Sequence, residues 1–250
     1  MHRFFVSPNS MTRGRIEFAA EQSHQIATVL RLKVGDRVAA LDNAGWIYDV
    51  ALTELTPVAV SGAVQSKRLV PNEPRLKLTL YPALLKSDKL EFVFQKCTEI
   101  GASGFAPIIC DRCSVGSVVS ENRQARWERI IVEAAEQSER GRLPQLLPAT
   151  VFPQACEQVH ARGLSFIAWE RGERPSLRAE MSSRLGSSVG TRPFAMNLFV
   201  GPEGGFTDAE IELAASYGII PVGLGARILR AETAAIVGTT LALAGAGDLE

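Results

Sequence analysis

The stretch NLFVGPEGGFTDAE, residues 197–210, decides the fold class of this chain. Its apolar start predicts a strand over Asn197–Val200, and Thr207 followed by Glu210 is a capping box that opens a helix. The glycine-rich segment Gly201–Phe206 lies between them, where a ligand loop follows the carboxyl end of a strand. The stretch therefore predicts one strand–loop–helix unit of an α/β sheet.

The same alternation extends on both sides of this unit from residue 76 onward. Asp88 is expected to cap a helix that Gly101 ends, and residues 171–193 are expected to form a helix and a mobile loop. Further strands are predicted over Leu76–Tyr81, Phe105–Cys110, Leu164–Trp169 and Ile219–Val222, and further helices over Arg123–Arg140 and Ala231–Ala244. This order predicts an α/β fold with a mainly parallel sheet and helices on both faces.

The first seventy residues have a different pattern, made of short strands and turns. Strands are predicted over Arg3–Val6, Val34–Leu41 and Trp46–Val50, with a short helix over Ser23–Leu30. These elements predict a small β-barrel-like module. Two prolines within Val70–Pro74 disfavour both helix and sheet, so we predict two domains, residues 1–71 and 72–250.

Charge is unevenly distributed along a chain that carries 27 Lys+Arg and 27 Asp+Glu. Residues 1–89 hold 12 basic and 8 acidic side chains, whereas residues 90–250 hold 15 and 19. In residues 199–250, Arg227 and Arg230 stand against seven acids. A basic front half fits a polyanionic partner, and uneven solvation of an ordinary surface explains the same numbers.

Composition excludes several classes of protein. Four cysteines in 250 residues do not make a disulfide scaffold. No apolar run approaches the roughly 20 residues that span a bilayer, and the N-terminal sequence lacks the apolar stretch of a signal peptide. We therefore expect a cytoplasmic protein without membrane association.

The Gly201–Gly205 loop has the composition of a ligand loop but not of a phosphate loop. No Gly-Lys-Ser/Thr follows it, it lacks the Gly-x-Gly-x-x-Gly spacing, and Glu203 would repel a phosphate. A glycine-rich loop with a carboxylate suits a neutral or cationic ligand. A tight turn that needs positive φ at two glycines accounts for the sequence equally well.

A second segment, Gly223–Ala234, also follows a strand and opens a helix. Arg230 and Glu232 flank the predicted helix start. An active site would use Arg230 to hold an anion and Glu232 to orient it, and a salt bridge or helix cap is the structural alternative.

Two further segments carry polar clusters with structural alternatives. At the end of the helix before Pro144, Gln137 and Ser138 could face a ligand, while Arg140 and Arg142 suit the C-terminal end of the helix dipole. Lys86–Lys89 lies at a strand-to-helix turn, which is either a phosphate contact or a solvated turn.

Cysteine and histidine spacing argues against a metal site. Cys110 and Cys113 form a single C-x-x-C with no second pair, which favours structural thiols. His2, His24 and His160 have no metal-like spacing. We expect no bound metal.

Together these segments resemble the RsmE family of 16S ribosomal RNA uracil-N3 methyltransferases, in the SPOUT superfamily. The matching stretches are Ser23–Ile26, Val29–Asp36, Lys86–Gly101, Glu133–Pro144, Gly201–Phe206 and Leu224–Ala234. Their order and spacing cover nearly the whole chain. The departures are Cys113, where a polar residue is expected, and Ala231, where a threonine is common.

The resemblance implies a fold and a cofactor. It implies an N-terminal PUA-like RNA-binding barrel, a C-terminal SPOUT domain with a trefoil knot, and a homodimer whose active site straddles the interface. It also implies S-adenosylmethionine, held by the knotted loops. The cofactor-binding residues carried over are Trp169, Glu170, Val200, Gly201, Glu203, Gly204, Gly205, Leu224, Gly225, Ile228, Leu229 and Thr233.

The resemblance further implies methylation of N3 of a specific uridine in 16S ribosomal RNA, within the small ribosomal subunit. Arg230 and Glu232 become the catalytic residues: Glu232 accepts the N3 proton, and Arg230 places a phosphate or a uracil carbonyl oxygen. Glu136 is expected on the substrate side. The expected RNA-binding residues are Arg3, His24, Arg31, Lys33, Lys86, Lys89, Arg112, Gln137, Ser138, Arg140 and Arg142.

Two other classes of protein compete with this interpretation. One is a non-catalytic RNA-binding protein that retains the SPOUT fold, and the intact glycine loop and the Arg230–Thr233 segment count against it. The other is a nucleotide-dependent oxidoreductase, against which the missing Gly-x-Gly-x-x-Gly and the acidic loop count.

Overall fold

The computed structural model describes residues 1–114, 118–159, 163–185 and 194–249. By its internal contacts the chain forms two compact units, Met1–Glu73 with Ala135–Leu143, and Pro74–Ala134 with Pro144–Glu250. The predicted domain division at residue 71 stays a prediction. The return of residues 135–143 to the first unit has no signal in local sequence. His160 and residues 186–193 of the expected loop lie outside the described residues.

The first unit contains a six-stranded sheet. Its strands are β1 (Arg3–Phe5), β2 (Met11–Thr12), β3 (Arg15–Glu17), β4 (Arg37–Leu41), β5 (Trp46–Leu55) and β6 (Val60–Leu69), in the spatial order β1-β4-β5-β6-β3-β2. The β1–β4 pair is parallel and the other pairs are antiparallel. The predicted helix Ser23–Leu30 is the α-helix α1 (Ala20–His24) followed by a π-helical turn, Gln25–Val29.

The sheet curls around its main apolar core. Phe4 of β1 and Phe18, just after β3, meet edge to face with ring centroids 5.8 Å apart, although their strands are far apart in the sheet order. Register shifts between Asp49 and Val50, and between Leu52 and Glu54, bend the long strands β5 and β6. The predicted β-rich module is confirmed as a curled sheet that resembles a barrel.

Residues 135–143 are held in the first unit by a buried ion pair. Arg140 is 4% exposed, and its Nη2 donates to Glu73 Oε2 at 2.9 Å. The backbone amides of Gly141 and Arg142 donate to Glu73 Oε1 at 2.9 and 3.1 Å. Burial raises the pKa of the Glu73 carboxyl, but the Arg140 guanidinium and these two amides outweigh it and lower the pKa.

The second unit is built on a six-stranded parallel sheet. Its order is β10-β8-β7-β13-β12-β14, with strands β7 (Leu76–Pro82), β8 (Gly104–Phe105), β10 (Gln145–Leu146), β12 (Leu164–Ala168), β13 (Phe194–Val200) and β14 (Ile220–Val222). Every pair in it is parallel. A separate two-stranded sheet pairs β9 (Ile108–Ile109) with β11 (Thr150–Val151). The predicted mainly parallel sheet is confirmed.

Helices cover both faces of this sheet, as predicted. Along β13, Met196, Leu198 and Val200 point into one apolar core, and Phe199 points into the other. The first core includes residues of α2 (Ser87–Ile100), α3 (Glu121–Gln137), α5 (Leu177–Leu185) and α7 (Ala231–Gly245), and the second those of α4 (Phe152–Val159) and α6 (Asp208–Ser216). The trefoil knot stays a prediction.

Three predicted elements need correction. The strand expected over Phe105–Cys110 is two short strands, β8 and β9, because Pro107 between them has no N–H for a ladder. Lys86, not Asp88, occupies the N-cap of α2, and Asp88 lies in the first turn. Helix α3 ends at Gln137 rather than at Arg140, and Glu139 takes a left-handed φ of 62° just after it.

Replacing Glu73 with alanine tests the buried pair of the first unit. The change removes the Glu73 carboxylate from buried Arg140 and from two backbone amides that donate to it, so the free energy of unfolding should fall by about 3 kcal/mol in a urea titration. The matched change Glu17→Ala, at an exposed strand position, should alter it by less than about 0.5 kcal/mol.

The Glu73–Arg140 ion pair also predicts that the stability of the protein depends on pH in the acid range. Because the pKa of Glu73 is lowered on folding, its contribution is full above the ordinary value of 4.5 and is lost as the pH falls through the folded value. The stability gap between the wild type and Glu73→Ala should therefore narrow below pH 4.5. A gap that is constant from neutral to acid pH would show that the ion pair does not stabilise the fold.

Candidate active site

A cavity of about 600 Å³ opens in the second unit at the carboxyl ends of β12, β13 and β14. Its walls are the residues that follow these three strands, together with the start of α7. The lining residues are Lys89, Ala168, Trp169, Glu170, Arg171, Arg174, Val200, Gly201, Pro202, Glu203, Gly204, Gly205, Phe206, Leu224, Gly225, Arg227, Ile228, Leu229, Arg230, Ala231 and Ala234. In parallel sheets this edge is where ligands bind.

The glycine loop after β13 is closely packed against its neighbours. Gly205 has φ +68°, and a Cβ there would lie 2.7 Å from Glu170 Oε1. A Cβ on Gly201 would lie 3.0 Å from the Phe206 ring. Glycine is therefore needed at position 205 for both backbone conformation and space, and the loop leaves its backbone accessible from the cavity.

The side chain of Arg112, which follows β9, forms hydrogen bonds with this loop. Arg112 Nη1 donates to the carbonyl oxygens of Gly204 and Phe206, at 2.9 and 3.1 Å. The following helix α6 begins with the predicted capping box, in which Glu210 N donates to Thr207 Oγ1 and Thr207 N donates to Glu210 Oε2. The loop thus has fixed anchors at its carbonyl groups and at its C-terminal end.

An ion pair links the loop to the first turn of α2. Lys89 Nζ lies 3.0 Å from Glu203 Oε1. The hydrogen bond to Glu203 raises the pKa of Lys89. Burial raises the pKa of Glu203, but its own backbone amide and Lys89 lower it further than burial raises it. Both groups are charged at neutral pH, so Lys89 partly neutralises the negative charge of Glu203 in the loop.

The two predicted catalytic residues lie at the N-terminus of α7. Arg230 is its N-cap residue and lines the cavity with an exposed side chain. Glu232 lies in the first turn, and its Oε2 is buried with no hydrogen-bond partner in the described part of the chain. A buried carboxylate oxygen without a donor is unusual, because its lost hydration is not replaced.

The structure gathers nearly all predicted cofactor-binding residues around one cavity. Every one of them lines it except Thr233, which is exposed on α7 and lies away from the wall. Glu232 does not line it either. The binding roles of these residues stay predictions.

Sequence reasoning missed two arginines that line the cavity, Arg171 and Arg174, whereas Arg227, which the charge distribution had singled out, lines it as well. The Nε of Arg174 is buried without a partner, although its Nη1 donates to the Gly172 carbonyl at 2.7 Å. The only available signal was the Arg-rich composition of 171–174, which lies in a segment interpreted as helix and loop. Among the described residues the cavity is therefore lined by more cations than acids.

The expected RNA-binding residues of the first unit fall into two groups. His24 is exposed at the end of α1, Arg31 and Lys33 are exposed after the π-helical turn, and Gln137 is exposed at the end of α3. Ser138 is half-buried. These residues lie where a polyanion could reach them.

The residues of the second group form ion pairs or hydrogen bonds within the first unit. Arg140 is buried against Glu73, so it is withdrawn from the RNA-facing set. Arg3 pairs with Glu139 at 2.7 Å with only 12% of its side chain exposed. Arg142 Nη2 donates to the Ala44 carbonyl at 2.7 Å, and Glu136 Oε1 accepts from the Phe5 amide at 3.0 Å.

In the second unit, Lys86 is exposed, whereas Lys89 is paired with Glu203 and Arg112 holds the glycine loop.

Within the described ranges no group of three His, Cys, Asp or Glu side chains could hold a metal ion. In the same ranges no helix has the length and apolar character to cross a membrane.

Comparison with known proteins defines the class. A family model described as an RNA methyltransferase domain matches residues 71–243, which include the whole cavity. The fold and the site are thus those of an RNA methyltransferase.

Named relatives narrow the class. Ribosomal RNA small subunit methyltransferase E of Synechocystis sp. is 36% identical over 94% of this chain and 75% of its own length. The Bacillus subtilis protein of the same name is 31% identical over 94% and 93%. The Neisseria gonorrhoeae enzyme, solved bound to S-adenosyl methionine, has a TM-score of 0.83 at 28% identity and covers 96% of this chain and 95% of its own. The chain belongs to the ribosomal RNA small subunit methyltransferase E family.

Replacing Gly205 with alanine tests the packing of the loop. The left-handed conformation costs about 1–2 kcal/mol in the free energy of unfolding. The Glu170 carboxylate that the new Cβ would meet is the end of a half-buried side chain, so displacing it should add less than about 0.5 kcal/mol. Gly172→Ala is the matched control, because Gly172 has φ +67° but nothing within 4 Å of its Cβ position. Urea titrations should give losses for the two variants that agree within about 0.5 kcal/mol, and a loss more than about 1 kcal/mol larger for Gly205→Ala would show that Glu170 cannot turn away from the loop.

Proposed function

We propose that the protein transfers a methyl group from S-adenosylmethionine to N3 of a uridine in 16S ribosomal RNA. The observation that carries this proposal is the cavity at the carboxyl ends of β12–β14 in a chain of this family. It combines a glycine loop and two carboxylates with a set of arginines, as a cationic donor and a polyanionic acceptor require.

The residues present fit S-adenosylmethionine. A cavity of about 600 Å³ has the size of a small-molecule site. The loop Gly201–Gly205 lines the cavity, and Gly201 and Gly205 leave no space for a side chain beside Phe206 and Glu170. When bound, S-adenosylmethionine supplies an electrophilic methyl group on a sulfonium cation.

The chain's own residues would orient this cofactor and stabilise its charge. Glu170 contributes a carboxylate next to Gly205, with Arg171 Nε 3.6 Å from its Oε1. Glu203 is already paired with Lys89. We assign Glu170, which lies beside Gly205 and makes a longer ion pair than Glu203 does, as the carboxylate that would face the sulfonium side. The apolar Leu224, Ile228 and Leu229 would cover the remainder.

The reaction also requires that the proton on uracil N3 leaves before or during attack on the methyl group. Glu232 is the acceptor we assign, since its buried Oε2 has no donor within the described ranges. General base catalysis of this kind contributes about 10²–10⁴-fold. Arg230, exposed beside it, would hold a phosphate or a uracil carbonyl oxygen.

Exposed side chains of both units supply candidates for the RNA contact. They are His24, Arg31, Lys33, Lys86 and Gln137. We further propose that the protein acts as a homodimer on the small ribosomal subunit in the cytoplasm. Ile228, 83% exposed beside the cavity, is an apolar side chain that a second protomer would cover.

Cofactor binding separates this proposal from a non-catalytic RNA-binding protein with the same fold. Calorimetric titration of the protein with S-adenosylmethionine should show one site per chain. Gly205→Ala should weaken the affinity, and Gly172→Ala should leave it unchanged. No heat of binding to the wild type would favour the non-catalytic alternative.

The roles at α7 predict a defined kinetic effect. Glu232→Gln removes the proton acceptor but keeps the shape, so kcat for RNA methylation should fall about 10²–10⁴-fold with the cofactor affinity unchanged. Glu212→Gln, at an exposed position on α6, is the matched control. Near wild-type rates for both Arg230→Ala and Glu232→Gln would refute the assignment.

Phosphate contacts predict a salt dependence. The logarithm of the RNA association constant should fall linearly with the logarithm of the salt concentration. Replacing Arg31 or Lys33 with alanine should reduce the slope by about one unit each. Arg140→Lys, at the buried pair, should leave the slope unchanged, and an unchanged slope in Arg31→Ala and Lys33→Ala would remove those residues from the RNA surface.

A further inference from the structure

The turn that clamps the glycine loop carries two of the four cysteines of the chain. Cys113 N donates to the Cys110 carbonyl at 3.1 Å, which closes a four-residue turn over Cys110–Cys113. Cys110 N also donates to Cys113 Sγ at 3.3 Å. Such a turn keeps the two Cα atoms within about 7 Å, close to the range in which a disulfide forms without large backbone movement.

The two thiols differ in environment. Cys110 is 6% exposed, whereas Cys113 is half-buried and can be reached from solvent. The hydrogen bond from Cys110, together with the backbone amides of Cys110 and Leu84, lowers the pKa of Cys113 to about 7 against the effect of burial. Cys113 is therefore the more readily ionised of the two thiols, and the thiolate is the form that reacts with oxidants.

Cys97 and Cys156 allow the pKa of Cys113 to be compared with that of other thiols in the same chain. Burial raises the pKa of both Cys97 and Cys156 to about 12. They remain neutral thiols in apolar surroundings. Reactivity is thus expected at Cys113 and not at these positions.

Hydrogen bonds join the turn to the glycine loop and to the start of α6. Asp111 N donates to Glu210 Oε1 at 3.0 Å, in the capping box that opens α6 directly after the loop. Arg112, between the two cysteines, donates to the Gly204 and Phe206 carbonyls. A disulfide bond is only about 2.05 Å long, shorter than any hydrogen-bonded contact of two sulfur atoms, so forming it must tighten the turn and shift Arg112.

We propose that Cys113 and Cys110 form a peroxide-sensitive dithiol whose oxidation to a disulfide releases the Arg112 clamp and weakens cofactor binding. This inference rests on the proposed function for its consequence, but the dithiol chemistry stands without it.

The chemistry requires a hydroperoxide as oxidant. The Cys113 thiolate attacks a peroxide oxygen, the O–O bond breaks, and the leaving hydroxide takes a proton to become water while the sulfur becomes a sulfenic acid. Cys110 sulfur then attacks Cys113 sulfur, the S–S bond forms, and the S–O bond breaks. The Cys110 proton leaves with the hydroxyl as a second water. One peroxide and two thiols give one disulfide and two waters.

Peptide mapping tests the disulfide. The full chain is treated with hydrogen peroxide, its remaining thiols are alkylated, and it is digested with trypsin without reduction. Trypsin cleaves after Arg112, so the disulfide should join peptide 97–112 to peptide 113–123. The joined peptide should persist in Cys97→Ala and disappear in Cys110→Ser. Its absence from the wild type, or its persistence in Cys110→Ser, would overturn the proposal.

Calorimetry with S-adenosylmethionine tests the consequence. The dissociation constant of the oxidised protein should be about tenfold higher than that of the reduced protein, the effect of losing one such clamp, and dithiothreitol should reverse it. Arg112→Ala should show the higher value when reduced, and oxidation should add nothing. An oxidised protein with the disulfide and an unchanged dissociation constant would overturn the link to the clamp.

The two failures are distinguishable. A reduced protein that does not bind S-adenosylmethionine would refute the proposed function, and peptide mapping would still decide the dithiol. A reduced protein that binds the cofactor but forms no disulfide would refute only the present inference.

Discussion

The parallel pairing of β13 with β7 on one side and β12 on the other is the constraint on which the site depends. Phe199 is in register with both Ile167 and Tyr81, and Val200 with Pro82, so the ends of neighbouring strands coincide at one edge. The chain leaving β13 must then turn within the space between Glu170 and Phe206. Glycine at positions 201 and 205 permits this turn, because a side chain at either position would collide with Phe206 or Glu170.

Charge in this site has both signs, which the zero net charge of the chain conceals. Lys89 pairs with Glu203 and Arg171 with Glu170, while Arg174, Arg227 and Arg230 line the same cavity. Methylation of RNA brings a sulfonium and phosphates to one place. A cavity that is neither wholly acidic nor wholly basic can stabilise both.

Local sequence predicted the elements whose signals are local. Residues adjacent along the chain predict the Thr207–Glu210 capping box, the alternation of strands and helices, and the glycine loop. The structure contains all three. Two errors have local causes that were overlooked: Pro107 divides a strand, and Lys86 rather than Asp88 precedes the first turn of α2. The resemblance to a family supplied the cofactor and the reaction, which spacing alone could not.

Other features depend on contacts distant in sequence. Arg140 was expected to meet RNA, but Glu73, 67 residues earlier, buries it in an ion pair. Arg174 lines the cavity only because β12 and β14 are neighbours in the sheet. Thr233 follows Glu232 in the family motif, but the turn of α7 directs it to solvent.

Nucleoside mass spectrometry of 16S ribosomal RNA tests the central claim most directly. Small subunits or naked 16S RNA lacking the modification are incubated with the protein and S-adenosylmethionine bearing a deuterated methyl group, and the RNA is digested to nucleosides. The account predicts one deuterated N3-methyluridine per RNA molecule. Label on another base or position, or no label with cofactor bound, would contradict it.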